Sequence, residues 1–297
     1  KPSGDGILGT LSRNVRGFRM NVQGRWGLQN CGSEQSYSGK SRILMTEPSE
    51  VLVVTATYNE METLPRLVEA VFRSVAAVDV LVVDDNSPDG TGDWCEEYSQ
   101  KNPRLRCLRR PGKLGIGSAI ADGLRYAIDQ GYRYVVTMDA DFSHPPEKIS
   151  DLLAVIQQPD DPPVDVVIGS RYVKGGSIQG WPWYRHIMSR GINACSRCLL
   201  GLPVRDCSGN FRCYRASALA GLNWEEFCSK GYSFFEEILL RLHQEGATFR
   251  EIPICFVERR GGRSKMMWRE ALSAIATILR LGIVGVCRRV RRKSKRH

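Results

Sequence analysis

From Val51 onward, short runs of β-branched residues alternate with segments whose apolar positions recur at helical spacing. Val51-Leu52-Val53-Val54-Thr55-Ala56 reads as a buried strand. Thr63-Leu64-Pro65 then opens a helix that lines up Leu64, Leu67, Val68, Val71 and Phe72 on one side. A second strand at 78–83 runs into Asp84-Asp85-Asn86-Ser87-Pro88-Asp89-Gly90-Thr91-Gly92, a loop dense in turn formers and carboxylates. The pattern continues with a helix at 94–101, a strand at 105–109, a glycine loop at 112–117 and a helix at 118–130. A strand at 134–138, a helix at 152–157, a strand at 164–169 and a helix at 184–200 follow. A loop then runs into a strand across 207–215, before a helix at 234–245 and a strand at 248–257. Strands alternating with helices predict an α/β fold, an open and mostly parallel sheet with helices on both faces. No internal repeat is visible, so one continuous domain with appendages is expected.

The ends read differently. Residues 1–46 are rich in Gly, Ser, Asn and Arg, with apolar residues too sparse for a core face, and are expected to be a disordered or weakly ordered basic extension. Residues 258–268 read as a basic, glycine-bearing loop. Residues 269–287 are expected to form an apolar or amphipathic helix with Leu272, Ile275, Leu279, Ile283 and Val286 on one side, and 288–297 reads as a basic tail. The helix either covers the sheet or lies on a membrane. It is shorter than the ~20 apolar residues a bilayer span needs, and it contains Arg280. No signal-peptide core is read at the amino end.

Charge changes the picture once it is located. The chain carries a formal +10, of which residues 1–46 hold +5 and 288–297 hold +7, leaving −2 on the body. A basic excess confined to the ends suits an anionic membrane surface, and a solvated tail has the same composition. A nucleic-acid module is disfavoured by the acidic body and the lack of an aromatic-basic surface pattern. The ten cysteines show no framework spacing and read as reduced residues of a cytosolic chain. Cys195 and Cys198 form a lone C-x-x-C on a predicted helix, without a second pair at zinc-ribbon distance.

The candidate chemistry sits at strand ends. Asp139-Ala140-Asp141 follows a buried strand and precedes Phe142-Ser143-His144-Pro145-Pro146, placing two carboxylates at the carboxyl edge of the sheet, where α/β proteins bind ligands. Such a pair favours a hard divalent cation, Mg²⁺ or Mn²⁺, whose shell is completed by water and substrate phosphate. An isolated Asp-x-Asp is equally what a solvated strand end looks like. Ala56-Thr57-Tyr58-Asn59-Glu60 and Val83-Asp84-Asp85 share that edge, so Tyr58, Glu60, Asp85, Asp139 and Asp141 together suggest a pocket for a nucleoside and a metal diphosphate. Arg171 follows a strand directly, and Arg185 and Ser189 are four apart on a helix, an anion-binding arrangement. The glycine loop lacks a full G-x-G-x-x-G, and a dehydrogenase fits poorly.

These segments, with Gly-Lys-Leu-Gly-Ile-Gly-Ser-Ala, Gly-Ser-Arg-Tyr, Ser-Gly-Asn-Phe-Arg and Gly-Arg-Ser-Lys-Met, occur in order across about residues 50–280. The series resembles the family-2 glycosyltransferases, and within them the dolichol-phosphate (polyprenol-phosphate) mannosyltransferases. The resemblance implies a GT-A-like nucleotide-diphospho-sugar transferase fold, with a catalytic domain at 47–268. It implies that Ala56, Tyr58, Glu60, Val83 and Asp85 line the nucleotide pocket. Asp139, Ala140 and Asp141 would hold the diphosphate and its metal, with Ser143 reaching the ion through water. Arg171, Arg185 and Ser189 would cradle the lipid phosphate, and Arg259 and Lys265 would close over the donor. Ala56 stands where proline is usual. The implied reaction is inverting transfer of mannose from GDP-mannose to a polyprenyl phosphate, by a peripheral enzyme at the cytoplasmic face of a membrane, with or without a small membrane partner subunit. UDP-glucose or another donor, and an inactive scaffold homologue, are the alternatives.

Overall fold

The computed structural model describes residues 18–20, 26–28 and 49–258. The chain divides into two units, 1–46 and 47–297. In the first, β1 (Phe18–Met20) and β2 (Trp26–Leu28) form an antiparallel pair. Arg259, Lys265, the helix expected at 269–287 and the tail at 288–297 lie outside the described residues.

The second unit opens with β3 (Val51–Thr57), α1 (Leu64–Ser74), β4 (Asp79–Asp84), α2 (Thr91–Lys101), β5 (Leu105–Arg109), α3 (Ile116–Asp129) and β6 (Tyr134–Asp139). It continues with α4 (Ile149–Ile156), β7 (Val166–Ser170), β8 (Ser177–Gln179), α5 (Trp183–Leu200), β9 (Arg212–Arg215), α6 (Ala216–Ala220), α7 (Phe234–Gln244), β10 (Phe249–Pro253) and β11 (Cys255–Val257). Seven strands form one sheet in the order β10-β7-β9-β6-β3-β4-β5. All neighbours are parallel except β9, which runs antiparallel to both β6 and β7. Every residue of β4 is buried, as a strand covered by helices on both faces requires. The helix α1 turns Leu64, Leu67, Val68 and Val71 into the core beside Val51, Val53, Val80 and Val136, the side its spacing predicts.

Two expectations need correction, and one strand was missed. The strand read at 248–257 is two strands: β10 pairs with β7 in the main sheet, whereas β11 pairs with β8 in a separate two-stranded sheet. The division falls at Pro253, which has no N–H to continue a ladder. Strand β8, Ser-Ile-Gln, is too short at three residues to show a period and was not legible. Helix α2 begins at Thr91, three residues earlier than its apolar pattern suggests, because Gly90 takes the left-handed conformation (φ 89°) that starts it. Among the described residues no helix is long and apolar enough to cross a membrane, and the eight described cysteines are all free.

Candidate active site

The chain order reverses across the sheet between β3 and β6: β3, β4 and β5 lie in sequence to one side, and β6 adds to the other. Such a switch point opens a crevice beyond the carboxyl ends of the strands. The register shows what is presented there. Ala56 lies directly opposite Val83 on one side and Asp139 on the other, so one row crosses three strands. Tyr58, Asp85 and Asp141 each stand two residues beyond that row. Asn59, Asn86 and Phe142 come next, with φ of 62°, 58° and 61°. Three adjacent loops therefore turn at the same height through the left-handed region, which asparagine tolerates and phenylalanine adopts only at a cost.

Hydrogen bonds, buried around Asp84, knit the first two loops together. Asp84 accepts from the Thr57 hydroxyl (2.9 Å) and from the hydroxyl and backbone N–H of Ser87 (2.5 and 3.0 Å). Ser87 Oγ in turn accepts from Asn59 N–H at 3.0 Å. Thr91 Oγ1 accepts from Glu60 N–H, and Asp89 accepts from Met61 N–H, at 3.1 and 3.0 Å. Burial alone would raise the Asp89 pKa, but hydrogen bonds from Thr91 and Met61 outweigh it and hold the carboxyl below its usual range. Asp85 is buried, with Oδ1 2.8 Å from Arg110 Nη1 and Oδ2 accepting from Leu114 N–H at 3.1 Å. Desolvation raises its pKa, and Arg110 partly opposes this. Tyr58 is 38% exposed, with Lys113 Nζ 4.1 Å from its ring centroid. The glycines of the 112–117 loop serve close packing: a Cβ on Gly117 would lie 2.4 Å from Gly231 O and from Phe234 Cβ.

At the end of β6, Asp139 is held from two sides. Asn210 Nδ2 donates to Asp139 Oδ1 at 2.8 Å, and His144 Nδ1 accepts from Asp139 N–H at 3.1 Å. That bond makes His144 Nδ1 an acceptor, and burial, the largest influence, lowers the imidazole pKa against the pull of Asp139 and Asp141. The ring is a neutral support, stacked on Phe211 at 5.3 Å. Ser143 N–H donates to Asp141 Oδ1 at 3.0 Å, while the Ser143 hydroxyl and Asn210 Oδ1 are buried without a partner. Two carboxylates beside two orphaned neutral oxygens form an oxygen-only donor set that suits a hard cation. Among the described residues no group of three or more His, Cys, Asp or Glu could hold a metal ion; a hard divalent cation commonly completes its shell with water and substrate oxygens.

An aromatic cluster joins this edge to the predicted anion site. His144 meets the edge of Phe256 at 5.6 Å, Phe256 meets Trp181 at 5.5 Å, and the guanidiniums of Arg171 and Arg185 lie 5.7 and 4.2 Å from the Trp181 ring centroid. Arg171 is buried and already paired: its Nε and Nη2 reach the two oxygens of Asp206 at 2.7 Å each, and Nη2 reaches Ser208 Oγ at 2.9 Å. Asp206 is also buried. Desolvation would raise its pKa, but Arg171 keeps it low. Arg185 pairs with Glu258, and Ser189 Oγ lies 2.7 Å from Tyr172 OH.

The structure thus brings Ala56, Tyr58, Glu60, Asp85, Asp139, Ala140, Asp141 and Ser143 to one sheet edge, with Arg171, Arg185 and Ser189 beyond the aromatic bridge. Val83 and Ala140 have buried side chains, so a ligand meets them chiefly through their main chain. Arg171 and Arg185, read from the sequence as part of an anion site, each have a carboxylate partner. Asp206, Glu258, Asn210 and His144 were not singled out from sequence. Asn210 and His144 sit inside the quoted motifs, whereas Asp206 and Glu258 meet their arginines 35 and 73 residues away and carry no local signal.

An open, mostly parallel sheet with a crevice at its switch point, edged by paired acids, places the chain among the α/β proteins that bind ligands beyond the carboxyl ends of their strands. Residues 52–222 match the family model described as Glycosyl transferase family 2, and the chain belongs to that family. It is 37% identical over 261 residues to the polyprenol monophosphomannose synthase of Mycolicibacterium smegmatis, covering 88% of this chain and 97% of that protein. It is 39% identical over 233 residues to the undecaprenyl-phosphate mannosyltransferase of Micrococcus luteus, covering 78% and 94%. Among solved structures, glucosyl-3-phosphoglycerate synthase from Mycobacterium tuberculosis in complex with phosphoglyceric acid superposes with a TM-score of 0.60 at 18% identity, over 78% of this chain and 79% of that one. A mannosyltransferase from Pyrobaculum calidifontis in complex with GDP-Man and Mn²⁺ gives 0.51 at 17% identity, over 82% and 67%. The fold is the GT-A arrangement of its family.

Proposed function

We propose that this chain moves mannose from GDP-mannose to a polyprenyl phosphate with inversion at the anomeric carbon, using Mg²⁺ or Mn²⁺. The observation that carries the reading is continuity: paired acids at the switch point connect through His144, Phe256 and Trp181 to Arg171 and Arg185. A nucleotide diphosphate and a second anion can therefore meet over one aromatic floor. The relatives named as a polyprenol monophosphomannose synthase and an undecaprenyl-phosphate mannosyltransferase support the sugar and the lipid class.

In this reading Tyr58 offers a face to the nucleoside, with Ala56, Glu60, Val83 and Asp85 around it. Asp139, Ala140 and Asp141 receive the diphosphate, with Ser143 beside them. A divalent cation, when bound, supplies positive charge against the charge growing on the leaving diphosphate. Asn210 and His144 hold Asp139 in one orientation, so that little reorganisation is needed at the moment of transfer. The acceptor phosphate lies toward Arg171, Arg185 and Ser189, where Asp206 fixes the plane of the Arg171 fork. Its oxygen is anionic at neutral pH and attacks the anomeric carbon as the bond from that carbon to the nucleotide diphosphate breaks. No protein base is required. Arg259 and Lys265 complete the reading as groups that close over the donor and exclude water. The enzyme would work as a peripheral protein on the cytoplasmic face of a membrane, docked by its own basic ends or by a small membrane partner.

The test is incubation with a panel of radiolabelled nucleotide sugars, Mn²⁺ or Mg²⁺ and a polyprenyl phosphate, followed by lipid extraction. Labelled lipid from GDP-mannose, abolished by EDTA and restored by Mn²⁺, is the expected outcome. Transfer from UDP-glucose alone would replace the donor, and no labelled lipid from any donor would overturn the reading.

A further inference from the structure

A cavity of about 480 Å³ lies beside the Arg171 pair. Its wall includes Arg171, Tyr172, Arg190, Asn193, Arg197 and Arg205, and it contains no carboxylate; of the residues read as the acceptor-phosphate site it shares Arg171, while Asp139, Asp141, Arg185 and Ser189 take no part in it. Asp206 matches the charge of Arg171. Arg190, Arg197 and Arg205 have no ion-pair partner among the described residues, so three uncompensated guanidiniums face one hollow. Cations gathered this way repel one another until an anion enters. The rim is also built: Arg190 and Arg197 are seven residues apart on one side of α5, and the loop bearing Arg205 is pinned by Glu251, whose carboxylate accepts from the N–H groups of Arg205 and Asp206 at 2.8 and 3.0 Å. Gly176 folds the opposite wall tightly, since a Cβ there would lie 2.6 Å from Ser170 O.

The outer side of α5 adds a second feature. The helix contains no acidic residue, and its solvent side presents Trp183 (74% exposed), Tyr184 (52%) and Ile187 (64%), followed by exposed, uncharged Gly191, Ala194 and Cys198. Arg190 and Arg197 border this strip. An apolar strip edged by arginines beside a basic hollow matches a molecule that joins hydrocarbon to phosphate. We infer that the cavity binds the phosphate headgroup of an anionic membrane phospholipid through Arg190, Arg197 and Arg205, beside the acceptor site and sharing only Arg171 with it. A volume of about 480 Å³ accommodates a glycerophosphate-sized group.

The experiment uses the full chain and dihexanoyl phosphatidylglycerol below its critical micelle concentration, so that no charged surface attracts the basic ends. Calorimetric titration of the wild type should show saturable one-to-one binding, with dihexanoyl phosphatidylcholine markedly weaker. The triple variant Arg190→Gln/Arg197→Gln/Arg205→Gln should bind at least about tenfold more weakly, in line with losing charge-assisted forks. The variant Arg288→Gln/Arg289→Gln/Arg291→Gln, which removes equal charge from the tail, should bind as wild type. The three cavity side chains are exposed, so the fold should persist, as a thermal melt checks; Arg197→Glu alone serves if the triple variant is unstable. Absence of saturable binding, equal binding by the triple variant, or equal weakening by the tail variant would overturn the inference. So would displacement of the lipid by inorganic phosphate at matching concentrations, which would identify a soluble anion instead. The titrations contain no nucleotide sugar or polyprenyl phosphate, so their outcome is independent of the transfer reaction. Conversely, the triple variant should transfer mannose to detergent-dispersed polyprenyl phosphate within about twofold of wild type, given that exposed surface changes perturb little. A loss as large as that of an acid-pair variant would make the cavity part of the acceptor site.

Discussion

The two charged groups of greatest interest differ in what they would cost to remove. Asp141 is partly exposed at the sheet edge and accepts from a neighbouring N–H, so Asp141→Ala should leave urea stability nearly unchanged while lowering turnover by roughly 10²-fold, the loss of one preorganised charge. Arg171 is buried against buried Asp206, and Arg171→Ala strands that carboxylate. It should cost about 3–5 kcal/mol of stability as well as activity, so urea unfolding separates the two variants. Glu236 lies outside the proposed chemistry. It is buried, its Oε2 has no partner, and desolvation pushes its pKa up to about 7 from the ordinary 4.5, with nearby Arg212 pulling the other way. Between those values the folded chain keeps this proton and the unfolded chain releases it. Its contribution to stability is therefore full below about pH 4.5, falls as pH rises to about 7 and is flat above, a loss of about 3 kcal/mol. Urea midpoints at pH 5 to 8 should show this slope in wild type and a shallower one in Glu236→Gln.

At the scale of elements, three parallel strands end at one height and each turns through a left-handed residue immediately after Tyr58, Asp85 and Asp141. The backbone cost at Phe142 is sustained because hydrogen bonds on both sides over-determine the turn. Close packing of α3 against the segment before α7 imposes a different constraint. Gly117→Ala would press a methyl group to 2.4 Å from backbone and side-chain atoms, and it should destabilise the fold by about 1–3 kcal/mol in a thermal or urea melt. Strand existence was legible from β-branched runs bounded by turn residues, since burial on both faces demands that composition. Pairing was less so: 248–257 reads as one strand because a change of sheet partner at Pro253 leaves little trace in alternation, and β8 is too short to show a period.

For the whole molecule, the formal charge of the body is −2 while the two ends carry +5 and +7. Removing residues 288–297 should weaken co-sedimentation with anionic vesicles at low salt, by an amount that shrinks as salt rises, given about 1 kcal/mol per cation near such a surface. Equal, salt-insensitive binding by both forms would reject a role for the tail. The sequence by itself determined the alternation of strands and helices, the carboxylates at three strand ends and the resemblance that located the arginines, because these are local patterns or ordered motifs. Only the tertiary structure decided the register that sets Ala56, Val83 and Asp139 in one row, the pairing of Arg171 with Asp206 and Arg185 with Glu258, and the hollow among Arg190, Arg197 and Arg205. Those contacts join residues distant along the chain, and their partners are selected by packing and desolvation in three dimensions, which no local pattern encodes.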